Sequence, residues 1–268
     1  MGRQSRRPRI MAFWKMSEEG LLHWRLDGWH GIQAWFTGRL GGASLPPYAS
    51  LNLSRSVNDL PAAVMVNRRR AIAAGVPLSV PTVVWARQVH GRDIAWVDGT
   101  QPDAVADGLL TRTPNVVLAM AFADCVPIWI VSDDQSMGGL VHAGWRGTVL
   151  DIAGAAVNAF EQAGEDPKHL KAAIGPSIGP CCYEVDEPVA EKVRRLEDGQ
   201  QFLASTGPRH YQLDLWGLNR WLLMRAGIPE DAIVGAGLCT GCHPDWFFSH
   251  RREQARTGRM GGFLCLMP

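Results

Sequence analysis

Three side chains that can bind a soft metal ion stand at the ends of apolar segments. His90 ends the run Val-Val-Trp-Ala-Arg-Gln-Val-His, and His142 ends Gly-Gly-Leu-Val-His. Cys125 lies between two apolar runs, within Ala-Asp-Cys-Val-Pro. Two imidazoles and one thiolate suit zinc, and three protein ligands leave the fourth tetrahedral position open, as in catalytic zinc sites. These residue types therefore indicate a candidate catalytic metal site.

The spacing of these residues leaves other interpretations open. They are separated by 35 and then 17 positions, which matches no short zinc motif. Cys125 could instead act as a nucleophile with His142 as its base, as in a cysteine hydrolase. A structural interpretation is two hydrogen-bonded buried histidines and a buried thiol. Residue types and spacing do not decide among the three.

A glycine-rich connection follows His142. Gly144-Trp145-Arg146-Gly147-Thr148 joins the end of a predicted strand to the start of a predicted helix. Backbone N–H groups at a helix start, with Arg146 beside them, could bind an anion such as phosphate. A tight connection that binds nothing would have the same sequence features.

Hydrophobic periodicity predicts the elements that position these residues. The apolar, β-branched segments 116–123, 126–132 and 139–142 are typical of buried strands, whereas 151–163 has the period of a helix. Strands and helices mix without regular βαβ alternation, which predicts an α/β chain of the α+β type, a single-domain mixed-sheet sandwich with flanking helices over residues 21–268. Further strands are predicted at 31–37, 83–90, 233–239 and 263–267, and further helices at 61–74, 187–196 and 214–226.

Composition excludes several classes of protein. The 268 residues are 46% hydrophobic and 20% charged, which is typical of a globular chain. Lysine and arginine number 27 against 26 acidic residues, so the net charge of +1 provides no overall attraction to nucleic acid or to an anionic membrane. No apolar run reaches the ~18–20 residues of a membrane helix. We expect small-molecule partners, and the oligomeric state stays open.

The N-terminus is basic, and we expect residues 1–20 to form a disordered tail. Arg6-Arg7 is compatible with a twin-arginine signal, but the apolar stretch 10–14 is shorter than the about 7–15 residues that export requires. We therefore expect a cytoplasmic protein with reduced cysteines.

A second group of cysteines lies later in the chain. Cys239-Thr-Gly-Cys242-His243 matches a haem-attachment pattern, and its two cysteines could also join Cys181 and Cys182 in a second zinc site. We expect four ordinary thiols instead, because a vicinal cysteine pair seldom supplies two ligands to one metal.

Eight short motifs follow one another along the chain, and two of them are highly specific: Ala-Asp-Cys-Val-Pro and His-Ala-Gly-Trp-Arg-Gly. Together the motifs resemble the YfiH-like family, also called the laccase-domain or polyphenol oxidase family, from about residue 30 to the C-terminus. One departure is His250, where an aromatic residue is common after Phe-Phe-Ser. The motifs lie at 37–44, 51–53, 88–91, 123–127, 142–147, 173–179, 247–252 and 257–259.

The resemblance implies a zinc-dependent purine nucleoside phosphorylase that acts on adenosine or inosine and phosphate, with adenosine deaminase activity. Nucleobase deaminases carry a glutamate beside the zinc, but this chain has no His-x-Glu, so Asp124, Asp93 or another group would have to move the proton. The expected metal ligands for one zinc per chain are His90, Cys125 and His142; the expected catalytic residues are Cys125, His142 and Asp124; the expected substrate or phosphate ligands are Arg39, Ser44, Arg146 and Arg251.

The family name suggests copper as the metal, and the histidine content of the chain tests this suggestion. A multicopper oxidase needs several His-x-His pairs, whereas the eight histidines of this chain form none. A His₂Cys site could still bind copper by substitution, because copper outranks zinc in raw affinity. Zinc is therefore the expected working metal. Two alternatives stay open: a cysteine-dependent hydrolase or amidase that edits cell-wall precursors, and a non-catalytic metal-binding module.

Overall fold

The computed structural model describes residues 11–16, 20–77 and 82–268. In these ranges the helices are α1 (Pro61–Ala73), α2 (Trp145–Val149), α3 (Ile152–Gln162), α4 (Glu187–Arg194) and α5 (Leu215–Arg225). The strands are β1 (Met11–Met16), β2 (Leu22–Asp27), β3 (Ile32–Thr37), β4 (Thr82–Ala86), β5 (Ile94–Trp96), β6 (Asp103–Ala104), β7 (Gly108–Thr111), β8 (Val116–Phe122), β9 (Val126–Ser132), β10 (Gly138–Ala143), β11 (Leu170–Ile174), β12 (Glu184–Asp186), β13 (Leu203–Gly207), β14 (His210–Leu213), β15 (Ile233–Gly235) and β16 (Met260–Leu266).

Two large mixed sheets pack face to face. The first has the strand order β1-β2-β3-β16-β8-β4-β6 and the second has the order β15-β11-β9-β10-β7-β5. Buried side chains from both sheets form the layer between them, among them Phe36 and Phe122 from the first sheet and Trp129 from the second. The Trp129 indole N–H crosses this layer and donates to the Phe263 carbonyl at 2.8 Å. The predicted α+β fold is confirmed.

Helices cover the outer faces of both sheets. Ala71 and Ile72 of α1 pack on the first sheet, where the Trp35 indole donates to the Ala71 carbonyl at 2.9 Å. On the second sheet, Phe160 of α3 and Leu222 of α5 belong to a second apolar layer. In the described ranges no helix combines the length and the apolar character needed to cross a membrane.

Most predicted elements form where the periodicity places them. Every residue of β9 and of β10 is buried, as expected for continuous apolar runs. The helices α3, α4 and α5 each begin after an aspartate whose side chain accepts a backbone N–H of the first turn: Asp151, Asp186 and Asp214. The connection at 144–148, predicted as a turn, folds into the single-turn helix α2.

Two predicted strands end earlier than expected. The strand predicted at 83–90 ends at Ala86. The N–H of Arg87 still donates to the Ala104 carbonyl, and beyond it the carboxylate of Asp107 binds the backbone N–H groups of residues 89–91 and draws them out of the sheet. The strand predicted at 233–239 ends at Gly235, and the chain then turns at Gly237, whose φ is +63°.

Residues 11–16 also differ from the prediction. They form the edge strand β1, antiparallel to β2, and not part of a disordered tail over residues 1–20. Phe13 and Trp14 favour an extended conformation, and β2 offers them an open sheet edge for pairing. Residues 1–10 and 17–19, the rest of the predicted tail, lie outside the described residues.

The long loop between β3 and α1 is held by one buried amide. Asn67 on α1 accepts the backbone N–H of Ala43 at 2.7 Å. Its own NH₂ group donates to the Ser44 hydroxyl at 2.8 Å and to the carbonyls of Ser50 and Asn52 at 3.1 and 2.9 Å. These bonds satisfy polar groups that have little access to water, so the loop conformation depends on this one side chain.

We expect Asn67→Ala to lower the free energy of unfolding by about 2–4 kcal/mol, because it leaves several buried loop groups without a partner. Urea unfolding followed by tryptophan fluorescence measures the change. Asn58→Ala, an exposed residue of the same loop, is the control and should stay within about 0.5 kcal/mol of the parent. Equal midpoints for the two variants would contradict the anchoring role.

Candidate metal centre and active site

The three predicted metal ligands meet where the two large sheets approach each other. Strands β4 and β8 are parallel, so the segments that leave them emerge at the same edge of the first sheet. Cys125 lies in the connection that crosses from β8 to β9 in the second sheet, beside the end of β10 that carries His142. His90 follows β4 in a loop. One side-chain nitrogen of each histidine and the Cys125 sulfur lie within 4.8 Å of one another.

The conformation around His90 is set by Asp107, a residue that the sequence analysis missed. The carboxylate of Asp107 accepts the backbone N–H groups of Val89, His90 and Gly91 at 3.1, 3.0 and 2.7 Å. His90 itself has a left-handed backbone with φ of 60°. The only local signal for Asp107 is an acidic residue directly before the apolar strand β7.

Asp107 also orients His142. The Nδ1–H of His142 donates to the Asp107 carboxylate at 2.8 Å, which leaves Nε2 as the nitrogen available to a metal. The rings of His90 and His142 are nearly perpendicular, with centroids 5.0 Å apart.

The residues around this group fit a metal ion. Two imidazole nitrogens and one sulfur are a borderline-soft donor set, which suits zinc or copper. Gly144 leaves the necessary space, because a Cβ at this position would lie 2.9 Å from the Cys125 sulfur and 3.5 Å from the His90 ring. We call His90, Cys125 and His142 the ligand triad.

Cys125 and His142 form an ion pair when no metal is bound. Burial alone would raise the pKa of Cys125, but the charge of His142 and hydrogen bonds from both histidines outweigh it and lower the pKa to about 6. Burial alone would lower the pKa of His142, but the Cys125 thiolate and Asp107 raise it to about 9. Near neutral pH the pair is therefore a thiolate and an imidazolium.

Asp124 is buried and positions a neighbouring loop. Its carboxylate accepts the Thr240 and Ser249 hydroxyls at 2.6 and 3.0 Å and the Arg251 backbone N–H at 2.7 Å. Both oxygens are occupied, so this geometry differs from that of a free proton shuttle. Asp93, the other carboxylate considered, is exposed and does not line the cavity described next.

The ligand triad opens into a cavity of about 870 Å³ that is rich in positive charge. Six arginines line it, against two acidic side chains, Asp103 and Asp124. The six arginines are Arg55, Arg68, Arg87, Arg146, Arg251 and Arg259.

Two of these arginines are charged groups held away from water. Burial, and then the neighbouring Arg55, lower the pKa of Arg68 to about 10. Burial likewise lowers the pKa of Arg259 below its usual value. An anion would offset the cost of burying both charges, and at Arg68 also the repulsion from Arg55, so the cavity is suited to an anionic ligand.

The structure separates the four predicted substrate ligands into two pairs. Arg146 and Arg251 line the cavity. Arg39 does not: it donates to the Pro244 carbonyl at 2.9 Å and pairs with Glu253 at 3.0 Å. Ser44 is buried in the loop that Asn67 holds and donates to Asp59 at 2.7 Å. Arg39 and Ser44 therefore have structural contacts and no access to the cavity.

Four further arginines of the cavity were missed by the sequence analysis. Arg55, Arg68 and Arg87 lie on separate segments of the first half of the chain, and Arg259 lies near its end. No local pattern distinguishes them from surface arginines, although Arg259 ends the Thr-Gly-Arg motif.

The fold and the site together define a class: a two-sheet α+β protein with a His₂Cys ligand group in an arginine-lined cavity. A family model described as multi-copper polyphenol oxidoreductase laccase matches residues 33–267. The chain therefore belongs to this laccase-like family, the YfiH family, as its motifs predicted.

Relatives with names and a solved structure support this assignment. The purine nucleoside phosphorylase YlmD of Geobacillus stearothermophilus is 41% identical over 87% of this chain and 90% of its own length. The purine nucleoside phosphorylase YfiH of Escherichia coli is 36% identical over 88% of this chain and 95% of its own length. The crystal structure of the hypothetical protein YfiH of Bacillus licheniformis superposes with a TM-score of 0.87 at 37% identity, covering 94% of this chain and 98% of that one.

We expect Asp107→Asn to weaken metal binding by about 10–100-fold, because the amide has one acceptor oxygen and its NH₂ group faces N–H donors. The His90 loop and the His142 ring both lose their orientation. Competition with a chelator of known affinity measures the change. Asp93→Asn, an exposed site two residues after Gly91, is the matched control. Unchanged affinity in Asp107→Asn would refute its role in positioning the triad.

We expect metal affinity to fall as the pH falls. Between pH of about 9 and about 6 the metal-free protein holds a proton on His142 while Cys125 is already a thiolate, so binding displaces one proton. Affinity should fall about tenfold per pH unit in this window, and about 100-fold per unit below it, where Cys125 is protonated as well. Zn²⁺ titrations in a metal buffer test this, and a flat profile between these limits would contradict the ion pair.

Proposed function

We propose that this protein is a zinc-dependent purine nucleoside phosphorylase that cleaves adenosine and inosine with phosphate and also deaminates adenosine. The names of its relatives support the first activity, and the family resemblance suggested both. The observation that carries the proposal is the single cavity that joins the ligand triad to six arginines.

Phosphorolysis requires a phosphate oxygen to attack C1′ of the ribose while the bond from C1′ to the purine nitrogen breaks. The electron pair of that bond leaves with the base, which takes up a proton, and ribose 1-phosphate is the second product. The enzyme must hold a multiply charged anion in line with the sugar. Arg146 and Arg251 are suited to this task, because both line the cavity that contains the ligand triad.

Tyr183 contributes to the same region. It is buried, lines the cavity, and has the Arg251 guanidinium 5.0 Å from its ring centre. Burial, followed by the neighbouring Cys125, raises the pKa of its phenol. Tyr183 therefore stays neutral and can donate a hydrogen bond beside the triad.

Zinc is the metal that we assign to the ligand triad. Two nitrogens and one sulfur leave one position for a further ligand, which is typical of catalytic zinc. When bound, zinc supplies Lewis-acid activation for the deamination of adenosine. Asp107 holds His142 in the tautomer that zinc requires, and Asp124 keeps the 240–251 loop in place beside Cys125.

One observation favours a second candidate, a cysteine-dependent amidase. Without metal, Cys125, His142 and Asp107 form a thiolate, an imidazolium and an orienting carboxylate, as a cysteine hydrolase requires. The same residues cannot serve both functions at once, because a thiolate bound to zinc is not free to attack a substrate.

We expect adenosine and inosine to give free purine base and ribose 1-phosphate only when phosphate is present. Without phosphate, adenosine should give inosine and ammonia alone. Chromatography of the products with zinc-loaded protein tests both. Release of free ribose in the absence of phosphate, or no reaction with any nucleoside, would refute the phosphorylase and favour the amidase.

We expect Arg146→Ala to reduce phosphate-dependent cleavage about 10–150-fold, since one charge-assisted contact is worth roughly 1.5–3 kcal/mol. The loss should appear mainly as a weaker dependence on phosphate concentration. Arg69→Ala removes an exposed arginine of α1 outside the cavity and is the matched control. Equal losses in the two variants would show that Arg146 does not contact phosphate.

A further inference from the structure

The four cysteines that the sequence analysis treated as ordinary thiols come together in the structure. Two belong to the connection between β11 and β12, and two to the connection between β15 and β16. Their sulfur atoms all lie within 4.8 Å of one another. We call this group, which shares no residue with the ligand triad, the thiol cluster: Cys181, Cys182, Cys239 and Cys242.

The spacing of the sulfurs is that of ligands to one ion. Cys242 lies 3.4 Å from the sulfurs of both Cys181 and Cys182. A disulfide holds its sulfurs about 2.05 Å apart, and all four cysteines are free. A tetrahedral metal bound at about 2.3 Å holds its sulfurs about 3.8 Å apart, close to the observed spacing. An iron–sulfur cluster attaches its cysteines to different iron atoms and needs a wider group.

The backbone around the thiol cluster is arranged for thiolates. Cys239, which is 5% exposed, accepts the backbone N–H of Gly179 at 3.2 Å and that of Cys242. Gly241 permits the approach of the two connections, because a Cβ there would lie 3.1 Å from the Cys182 sulfur. Backbone N–H groups that point at sulfur stabilise its negative charge, as around metal-bound cysteines.

We propose that the thiol cluster is a second metal site, which binds one structural zinc ion through four sulfurs. This site has no open position, unlike the ligand triad, so it would stabilise the fold and take no part in the reaction. From the sequence, the vicinal pair Cys181-Cys182 was expected not to supply two ligands to one metal. In the structure both of its sulfurs lie against the Cys242 sulfur, so both can bind the same ion.

The ion would join two connections that form one side of the active site. Tyr183 follows the vicinal pair and lines the cavity. Thr240 follows Cys239 and donates to Asp124, the neighbour of Cys125. The described residues of the two connections pair through one isolated bridge, Ser177 to Cys239, with backbone hydrogen bonds from Ser177 to Leu238 and from Thr240 to Ser177. The zinc ion would therefore hold the wall of the cavity in place.

Without a cation, the thiols of the cluster differ in how readily they ionise: burial opposes ionisation of Cys239, but backbone N–H donors outweigh it and lower its pKa. Burial first, and then hydrogen bonds with Cys242 and Cys239, raise the pKa of Cys181 to about 11, and the pKa of Cys182 is raised for the same reasons. Zinc would displace these protons, so its binding at this site is coupled to pH as well.

Elemental analysis of zinc-replete protein tests the proposal directly. The parent should hold about two zinc ions per chain. The double variant Cys239→Ser with Cys242→Ser should hold one, and so should His90→Ala with His142→Ala. Cys265→Ala removes a buried thiol of β16 outside both groups and should retain both ions. One zinc in the parent, lost in the histidine variant and kept in the cysteine variant, would overturn the second site.

A measurement on the unaltered protein covers the case in which the cysteine variant does not fold. Cys181 and Cys242 are exposed, yet zinc should slow their alkylation at least about tenfold until a strong chelator removes the ion. Mass spectrometry of the labelled peptides gives the count. Alkylation at the same rate before and after chelation, or an intramolecular disulfide in place of metal, would refute the proposal. The proposed function is tested separately, because nucleoside cleavage is not the readout here.

Discussion

The candidate active site depends on the carboxylate of Asp107. This one buried group accepts three consecutive backbone N–H groups after β4 and the imidazole N–H of His142. The backbone bonds draw this segment out of the sheet and turn His90 toward the second sheet, while the imidazole bond fixes which nitrogen of His142 faces Cys125. Burial alone would raise the pKa of Asp107, but His142 and these N–H donors lower it. A fixed negative charge thus connects a loop, a strand and the thiolate–imidazolium pair.

Charge also organises the cavity as a whole. The chain has a net charge of only +1, yet six arginines converge on one cavity of about 870 Å³. Some are already engaged: Arg68 stacks 3.6 Å from the ring centre of Trp85, and Arg259 donates to the carbonyls of Thr257 and Gly258. Such contacts fix the direction of the guanidinium groups without neutralising them. The resulting field favours a multiply charged anion beside the ligand triad, which is why phosphate is the proposed co-substrate.

The wall of the cavity is built from connections that are held at several points. Asp124 binds Thr240, Ser249 and the backbone of Arg251, so the peptide that precedes Cys125 is coupled to a loop more than a hundred residues away. Two cysteines of the thiol cluster, Cys239 and Cys242, lie at the start of the same loop. A metal ion there would act at a distance from the reaction, through the position of Thr240 and Tyr183. Metal content would then influence the protein in two separate ways, through the chemistry at the triad and through the rigidity of the wall.

The sequence by itself determined the buried strands, the helix from Pro61 and the family, and through the family motifs it predicted His90, Cys125 and His142 as metal ligands. Each of these features depends on residues that are neighbours in the sequence: an apolar run, a helix-terminus signal or a short motif. It did not predict that β4 stops at Ala86, since a carboxylate on another segment draws residues 89–91 out of the sheet. Asp107, the arginines at 55, 68, 87 and 259, and the meeting of four cysteines depend on contacts between residues distant along the chain. Only the tertiary structure brings such groups within hydrogen-bonding or ligand distance, so only the tertiary structure decided which charged and sulfur side chains lie together.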